Sequence, residues 1–584
     1  MLYQRLVDAY ERISATTKRT EMTEILVGLL RETPPELVRQ MVYLTQGKLY
    51  PEFVPVEMGM AERLALKAVA AATGFSDDEV RASLASTGDL GQTAQDLLEK
   101  ARLAPKPTLQ IEDVYRHLDG IARTSGPGSV ARKIDLMADL LRRSTPIEAK
   151  YILRTATGKL RLGLADMTLL DSLAIAYGAG KQARPELERA YNLCSDLGEV
   201  ATAVATGGVA AVRRFRLQPQ KPIRPMLAQR MRSPKDILNK LSGSCQAEYK
   251  YDGERLQIHR LGDRVTIYSR RLEDVTRQYP DAAQFVLSSV KAREAIVEAE
   301  AVAMNPDTGE LRPFQELMHR RRKYGVEKAV AQYPVVLYAF DLIYRDGKDL
   351  TPLPFPQRRL ALTEVVTPST ELQPIPSKIV SSVDALEEFF QEAISEGCEG
   401  LVCKSLKPDS VYEAGARGWN WIKYKREYVS EMTDTVDLVV VGALHGRGKR
   451  GGTYGALLLS VYDPKTDTFP TVTKCGTGFT DEDLAELPRR LEPYRIDHRH
   501  PRVDARMKPD VWFVPALVIE VLGAEITLSP THTADWGVLK PETGLAIRFP
   551  RFAGRYRFDK APEDATTAEE IMQMYQAKLR RVRQ

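Results

Sequence analysis

The chain has 584 residues, 43% hydrophobic and 28% charged, with 83 basic against 78 acidic side chains and a net charge of +5. That length exceeds one hydrophobic core, so two to four domains are expected. The composition is that of a globular protein, no apolar run reaches the length of a membrane span, and five scattered cysteines without a CxxC pair argue against a zinc module or a disulfide framework.

The N-terminus, Met1-Leu2-Tyr3-Gln4-Arg5, lacks the apolar stretch of a signal peptide. The expected location is therefore the cytoplasm, with no membrane partner. A charge of +5 spread over this length says nothing about nucleic acid, so a DNA-binding face would have to come from local clusters.

Residues 1–217 carry apolar side chains at three- and four-residue steps, such as Ile25, Leu26, Leu29, Leu30 and then Leu37, Val38, Met41, Val42, which predicts helices. Leu29-Leu30-Arg31-Glu32-Thr33-Pro34-Pro35 followed by Gly47-Lys48-Leu49 recurs 111 residues later (140 − 29) as Leu140-Leu141-Arg142-Arg143-Ser144-Thr145-Pro146 followed by Gly158-Lys159-Leu160. Each copy has the form helix, proline turn, helix, Gly-Lys turn. Two copies at so long a period predict a duplicated helical unit, with chance recurrence of helix-turn chemistry as the alternative.

Residues 218–225 hold three prolines and predict an extended linker. Beyond it the period changes to that of strands: 255–260 and 264–269 around a Gly262-Asp263 turn, then 334–344 ended by Asp346-Gly347. Residues 218–428 are thus expected to form a mixed α/β domain. From Val436 short strands with glycine-rich turns (438–441, 456–462, 518–522, 546–549) predict a small β-barrel over 429–584, closed by a helix whose capping box begins at Thr567.

The chemistry centres on Glu248-Tyr249-Lys250-Tyr251-Asp252-Gly253-Glu254-Arg255. A lysine attacks only when neutral, and neighbouring cations with partial desolvation favour that form. Three fixed residues in Lys-x-Asp-Gly would arise by chance about 0.07 times in a chain this long, so context decides. Strand alternation places Glu248 with Lys250, Glu298 with Glu300, and Lys423 with Lys425 on shared faces. A solvated sheet edge is the simplest account of any one such pair. The apolar flanks Ala295-Ile296-Val297 and Ala301-Val302 instead put the glutamates beside a core, where a carboxylate needs a partner or a metal. Glu399, in Cys398-Glu399-Gly400-Leu401-Val402-Cys403-Lys404, is embedded in the same way.

Lys250 to Gly253 resembles the attachment motif of covalent nucleotidyltransferases, and the following motifs are similar to those of ATP-dependent DNA ligases of the archaeal replicative and eukaryotic nuclear type. Ser269-Arg270-Arg271-Leu272-Glu273-Asp274-Val275-Thr276 matches a second family motif, Glu300 the carboxylate motif, Phe340 the aromatic that stacks on adenine, Glu399 the second metal-side glutamate, Lys423 and Lys425 the twin lysines, and Arg557-Phe558-Asp559-Lys560 the closing motif. Where this chain has Glu298, members of the family often have Asp, which leaves the role of Glu298 open.

The resemblance implies a helical DNA-binding domain (1–217), an adenylation domain (218–428) and a C-terminal OB-fold with a terminal helix (429–584). It also implies sealing of nicked duplex DNA with ATP and Mg²⁺, or Mn²⁺ in its place, in DNA replication, repair and recombination, and through these in the cell cycle and cell division. Lys250 would be the nucleophile, with Glu248, Arg255, Arg270, Glu300, Phe340, Arg417, Lys423 and Lys425 holding the nucleotide, Glu300 and Glu399 the metal, and Arg557 and Lys560 orienting pyrophosphate across a hinge near Glu427 to Thr435. Lys48 and Lys159 are expected to grip phosphates, one turn on each side of a nick. The expected enzyme is a monomer in a prokaryotic cell, associated with the nucleoid. A sliding clamp is an implied partner, although no Gln-x-x-apolar-x-x-aromatic-aromatic motif is present. A capping guanylyltransferase or an RNA ligase would share Lys250 but not residues 1–217. An NAD-dependent ligase would carry a zinc module, and a decayed scaffold would not keep Lys250, Glu300 and Glu399 together.

Overall fold

The computed structural model describes all residues except 104, 305–311, 313, 321–324, 426–434, 447–452, 524, 549 and 582–584. The chain divides into two compact units, Met1–Asp77 with Ala94–Lys425, and Asp78–Thr93 with Arg426–Gln584.

Among the described residues twelve α-helices run from Tyr3 to Val212: α1 Tyr3–Ser14, α2 Arg19–Glu32, α3 Val38–Thr45, α4 Glu62–Thr73, α5 Asp77–Thr87, α6 Leu90–Lys100, α7 Ile111–Arg123, α8 Ser129–Arg143, α9 Pro146–Ala156, α10 Asp166–Tyr177, α11 Arg184–Cys194 and α12 Leu197–Val212. The duplication expected from the repeat is present in the backbone. Lys48 N–H donates to Tyr43 O at 3.0 Å, and Lys159 N–H, 111 positions on, donates to Arg154 O at 2.8 Å. Gly47 and Gly158 take φ of 71° and 65° there, a conformation that favours glycine. Packing is reciprocal: α2 lies on α10 and α8 on α4, while α1 meets α9 and α7 meets α3. The starts of the two halves also pair with each other, Tyr3 N–H to Leu109 O and Ile111 N–H to Met1 O. Such exchange is what a two-fold relation between the halves produces.

The two Gly-Lys turns lie side by side, since a Cβ on Gly47 would stand 3.1 Å from Cβ of Leu160. Lys48 pairs with Glu52 at 2.8 Å and Lys159 with Glu62 at 2.9 Å.

Residues 219–228 form no helix or strand, as the prolines require, but they are not a free tether. Ile223 and Met226 are buried. Ile223 exchanges both backbone hydrogen bonds with the Gln257 side chain, Gln220 N–H donates to His259 Nδ1 at 3.0 Å, and Arg224 N–H donates to Asn192 O at 2.8 Å. The segment thereby sews α11 to the following sheet.

Two sheets build the middle of the chain. One orders β6 (Ser377–Val380), β1 (Cys245–Lys250), β7 (Gly400–Ser405) and β8 (Trp421–Lys425) side by side, with Gln229–Arg230 at its edge. The other orders β3 (Arg264–Ser269), β2 (Glu254–Leu261), β4 (Glu294–Ala303) and β5 (Val335–Arg345). The predicted hairpin falls within β2 and β3, and the strand expected over 334–344 is β5, shifted by one residue. The apolar faces of β2, β4 and β5 close over Val286, Leu362 and Val365 from two flanking helices.

In the second unit β9 (Val436–His445) pairs with β10 (Tyr454–Ser460), β12 (Val511–Phe513) and β13 (Val518–Leu522); β10 continues to β11 (Phe469–Cys475), and β13 to β16 (Arg551–Tyr556). A hairpin of β14 (Glu525–Ser529) and β15 (Gly544–Arg548) adds to this strand-rich half-barrel. The terminal helix, Ala568–Arg581, starts as expected: Thr567 N–H donates to Glu570 Oε2, and Glu570 N–H donates back to Thr567 Oγ1. The expected hinge lies outside the described residues, Thr435 excepted.

Candidate active site

Lys250 ends β1, and its neighbours follow from sheet register. Lys250 stands opposite Gly400, and Gly400 opposite Lys425; two residues back, Glu248 stands opposite Val402, and Val402 opposite Lys423. Alternation turns all four charged side chains to one face. The facing sheet supplies Arg255 of β2, paired in register with Glu300 of β4, and Phe340 of β5. These residues line one cleft of about 580 Å³ together with Arg270, Glu399 and Arg417. The ten residues singled out from residues 218–428 therefore stand at one site.

Two glycines allow the walls to approach. A Cβ on Gly253 would meet the Ala301 carbonyl oxygen below 3.0 Å and Glu300 Cγ at 2.9 Å. Gly400 has φ of 143°, and a Cβ there would run into Tyr424 O on the next strand.

Charge dominates the cleft. Glu399 Oε2 forms ion pairs with Lys250 Nζ at 2.6 Å and Lys425 Nζ at 2.7 Å. Burial pushes the Glu399 carboxyl up, but the two lysines outweigh it and hold it below its ordinary value. Among the described residues Glu300 has no such ammonium pair. Burial, opposed by Lys250 and Arg255 and reinforced by Glu399, pushes its carboxyl up to about 7. Lys423 is drawn down by burial and by the cations Lys425, Lys250, Arg417 and Arg270. A group of five cations that repel one another in a concave site is arranged for a polyanion.

Arg255 is held by its neighbours. Its Nη2 pairs with buried Glu298 at 2.8 Å, its Nη1 donates to Met226 O at 2.7 Å, and its guanidinium lies over the rings of Phe340 and Trp421. Glu298 shares a face with Glu300, as alternation predicts, but its charge is answered by Arg255.

Known proteins match this chain from end to end. Residues 2–174 match the family described as DNA ligase N terminus, 225–425 the ATP dependent DNA ligase domain, and 450–560 the ATP dependent DNA ligase C terminal region. DNA ligase 2 of Thermofilum pendens is 54% identical over 585 residues, 98% of this chain and 97% of its own. The DNA ligase of Staphylothermus marinus is 50% identical over 596 residues, 100% of both chains. The chain belongs to the ATP-dependent DNA ligases. The solved structure named Pmar-Lig_PreS3 shares the fold, with a TM-score of 0.54 at 16% identity over 94% of this ligase and 99% of that chain. The family function is nick sealing through an adenylate, with ATP and a divalent metal, in DNA replication and repair.

Oxygen donors fit that metal. Glu300 and Glu399 face the cation group, and no third carboxylate, histidine or cysteine completes a cage among the described residues. A hard divalent cation takes few protein oxygens and completes its shell from substrate phosphates.

Lys404 of the ligase was missed from sequence. It is buried, and its Nζ lies 2.7 Å from Glu248 Oε2 and 2.9 Å from Phe340 O. Alternation along Cys403-Lys404-Ser405 gave no sign of a lysine in a core. Asp252 is a motif position in the sequence, and the fold adds its surroundings. Its Oδ2 accepts from Phe314 N–H at 3.2 Å, and burial and the Glu399 charge push its carboxyl up.

Arg557 and Lys560 stand in the second unit, where Arg557 Nη1 and Lys560 Nζ share Asp437 Oδ2 at 2.8 Å each. Arg557 also pairs with Asp559 at 2.8 Å. All five cysteines are free and buried, and among the described residues no helix is long and apolar enough to cross a membrane.

Proposed function

We propose that this ligase seals nicks by using Lys250 as the nucleotide carrier in the cleft between the two middle sheets. The observation that carries this reading is the convergence of Arg255, Arg270, Arg417, Lys423, Lys425, Glu300 and Glu399 around Lys250 in one cleft. Lys250 Nζ attacks the α-phosphorus of ATP, a P–N bond forms and pyrophosphate leaves. The 5′-phosphate of the nick then attacks the same phosphorus and frees Lys250. Finally the 3′-hydroxyl attacks the 5′-phosphate and AMP leaves.

Arg270, Arg417, Lys423 and Lys425 neutralise the triphosphate, Phe340 offers an apolar face to adenine, and Glu248 accepts from its amino group. Arg255 acts from its place beneath Phe340, held by Glu298. Glu300 and Glu399 would hold Mg²⁺, with Mn²⁺ able to substitute, which supplies further neutralisation of the phosphates.

Residues 1–217 grip duplex DNA, 218–428 carry the adenylation chemistry, and 429–584 form the OB-fold whose Arg557 and Lys560 orient pyrophosphate. Lys48 and Lys159, on adjoining turns, bind phosphates as one patch. A prokaryotic cytoplasm with nucleoid DNA is the setting, the enzyme works as a monomer, and a sliding clamp is its partner on DNA.

The test uses labelled ATP and a nicked duplex. Lys250→Ala is expected to form no protein-AMP yet still seal a nick that already carries 5′-AMP, because the lysine is chemically needed only until AMP has left it. An acid-sensitive AMP adduct on the variant would show that the nucleophile is another residue.

A further inference from the structure

Glu248 offers its two oxygens to different neighbours. Oε2 is bound to Lys404 Nζ at 2.7 Å. Oε1 is buried and has no hydrogen-bond partner among the described residues, with Arg359 Nη1 at 3.6 Å, beyond hydrogen-bond reach. Glu248 lines the cleft beside Phe340. A buried carboxylate oxygen without a donor costs free energy unless a ligand supplies one.

Lys404 is what keeps that oxygen an acceptor. Its side chain is 1% exposed and lies 4.5 to 5.0 Å from the ring centres of Trp421, Phe355 and Phe340. The other ionisable groups facing Glu248 are Arg359 from the helix Phe355–Val365, Asp341 from β5 and Cys403 from β7. Burial pushes the Glu248 carboxyl up, and Lys404 is the first of the charges that oppose it. Without the ammonium, Arg359 alone would be left to oppose burial and Asp341, which act toward the protonated acid.

The two forms read different bases. An ionised carboxylate only accepts; a carboxylic acid also donates. Adenine presents an amino donor on its six-position, and guanine presents a carbonyl acceptor there. An acceptor-only Glu248 therefore takes adenine and repels guanine, whereas a protonated one would donate to guanine.

We propose that Lys404 is a positioning residue that sets selectivity for adenine over guanine nucleotides, by holding Glu248 as an acceptor and tying it to the Phe340 main chain. The inference rests on the reading of the Lys250 cleft as the ATP site.

The experiment compares kcat/KM for lysyl-AMP formation from ATP with that for lysyl-GMP formation from GTP in the full chain. Lys404→Met is expected to lower the ATP:GTP ratio roughly 10- to 100-fold, the loss with ATP falling mainly on KM; that range corresponds to one hydrogen bond to a charged group. Lys404→Arg should restore most of the ratio. A neutral pair, Glu248→Gln with Lys404→Met, avoids an uncompensated buried charge and keeps the experiment informative if the single variant does not fold. Its amide can donate to guanine, so the ratio should again be low.

A folded Lys404→Met, or the double variant in its place, that keeps the wild-type ratio within threefold overturns the inference. If the wild-type chain forms no lysyl-AMP at all, the parent reading falls instead, so the two failures are distinguishable.

Discussion

Gly253→Ala tests whether the spacing of the two sheets sets the rate of adenylation. The added Cβ would lie 2.9 Å from Glu300 Cγ and closer still to the Ala301 carbonyl, whereas ordinary contact begins near 3.4 Å. Neither neighbour is the free end of a flexible chain, because Ala301 is paired to Glu254 and Leu337 within the sheet. Relief therefore requires the β1–β2 turn and β4 to separate by roughly half to one ångström. Overpacking of this kind costs about 1–3 kcal/mol, a fall of a few degrees in Tm for a unit of this size. The larger effect is on geometry. Lys250 lies three residues before the glycine and Glu300 on the displaced strand, so nucleophile and carboxylate move apart. A displacement near 1 Å costs about 100-fold in rate. The assay is single-turnover lysyl-AMP formation at saturating ATP, run beside thermal unfolding. A folded variant that adenylates within threefold of wild type would refute the reasoning.

Lys560→Ala is expected to slow self-adenylation far more than phosphodiester formation on a pre-adenylated nick. Asp437→Asn should do the same by about tenfold, since Arg557 and Lys560 share one Asp437 oxygen; equal losses in both steps would contradict that role. His259 predicts an acid limit on stability. Burial lowers its pKa from 6.5 to about 3, with Nδ1 accepting from Gln220 N–H. Its neutral form therefore contributes stability that is fully present above pH 6.5 and is lost as pH falls toward 3. At pH 5 the loss is about 2 kcal/mol, so wild type should lose that much more than His259→Gln between pH 7 and 5 in denaturant titrations; equal losses would reject it. Lys48→Ala with Lys159→Ala should weaken binding to any duplex, reduce the salt slope by roughly two and spare adenylation. An unchanged slope would place the phosphate contacts elsewhere.

The cleft residues were legible because each belongs to a short motif whose chemistry is local in sequence. Lys250, Asp252 and Gly253 lie within four consecutive residues, Lys423 and Lys425 obey strand alternation, and the Gly-Lys turns repeat with the same backbone hydrogen bonds. Alternation assigns a face but not a depth. It paired Glu298 with Glu300 correctly, yet only the fold pairs Glu298 with Arg255 and leaves Glu300 facing the cleft.

Lys404 could not be read at all. A lysine on a strand is ordinarily solvated, and this one is buried because Phe340, 64 residues away in sequence, and Glu248 on another strand meet it. Asp437 is the same case, joined to Arg557 across 120 residues. The adjoining of the two Gly-Lys turns likewise comes from the two-fold packing of helix pairs and not from either copy alone. Local chemistry marked Lys250 as the candidate nucleophile, together with the glycines beside it and the period of each element. Tertiary structure decided which charges meet. A buried ion pair depends on partners brought together from distant strands, and a linear pattern carries no information about what lies across the core.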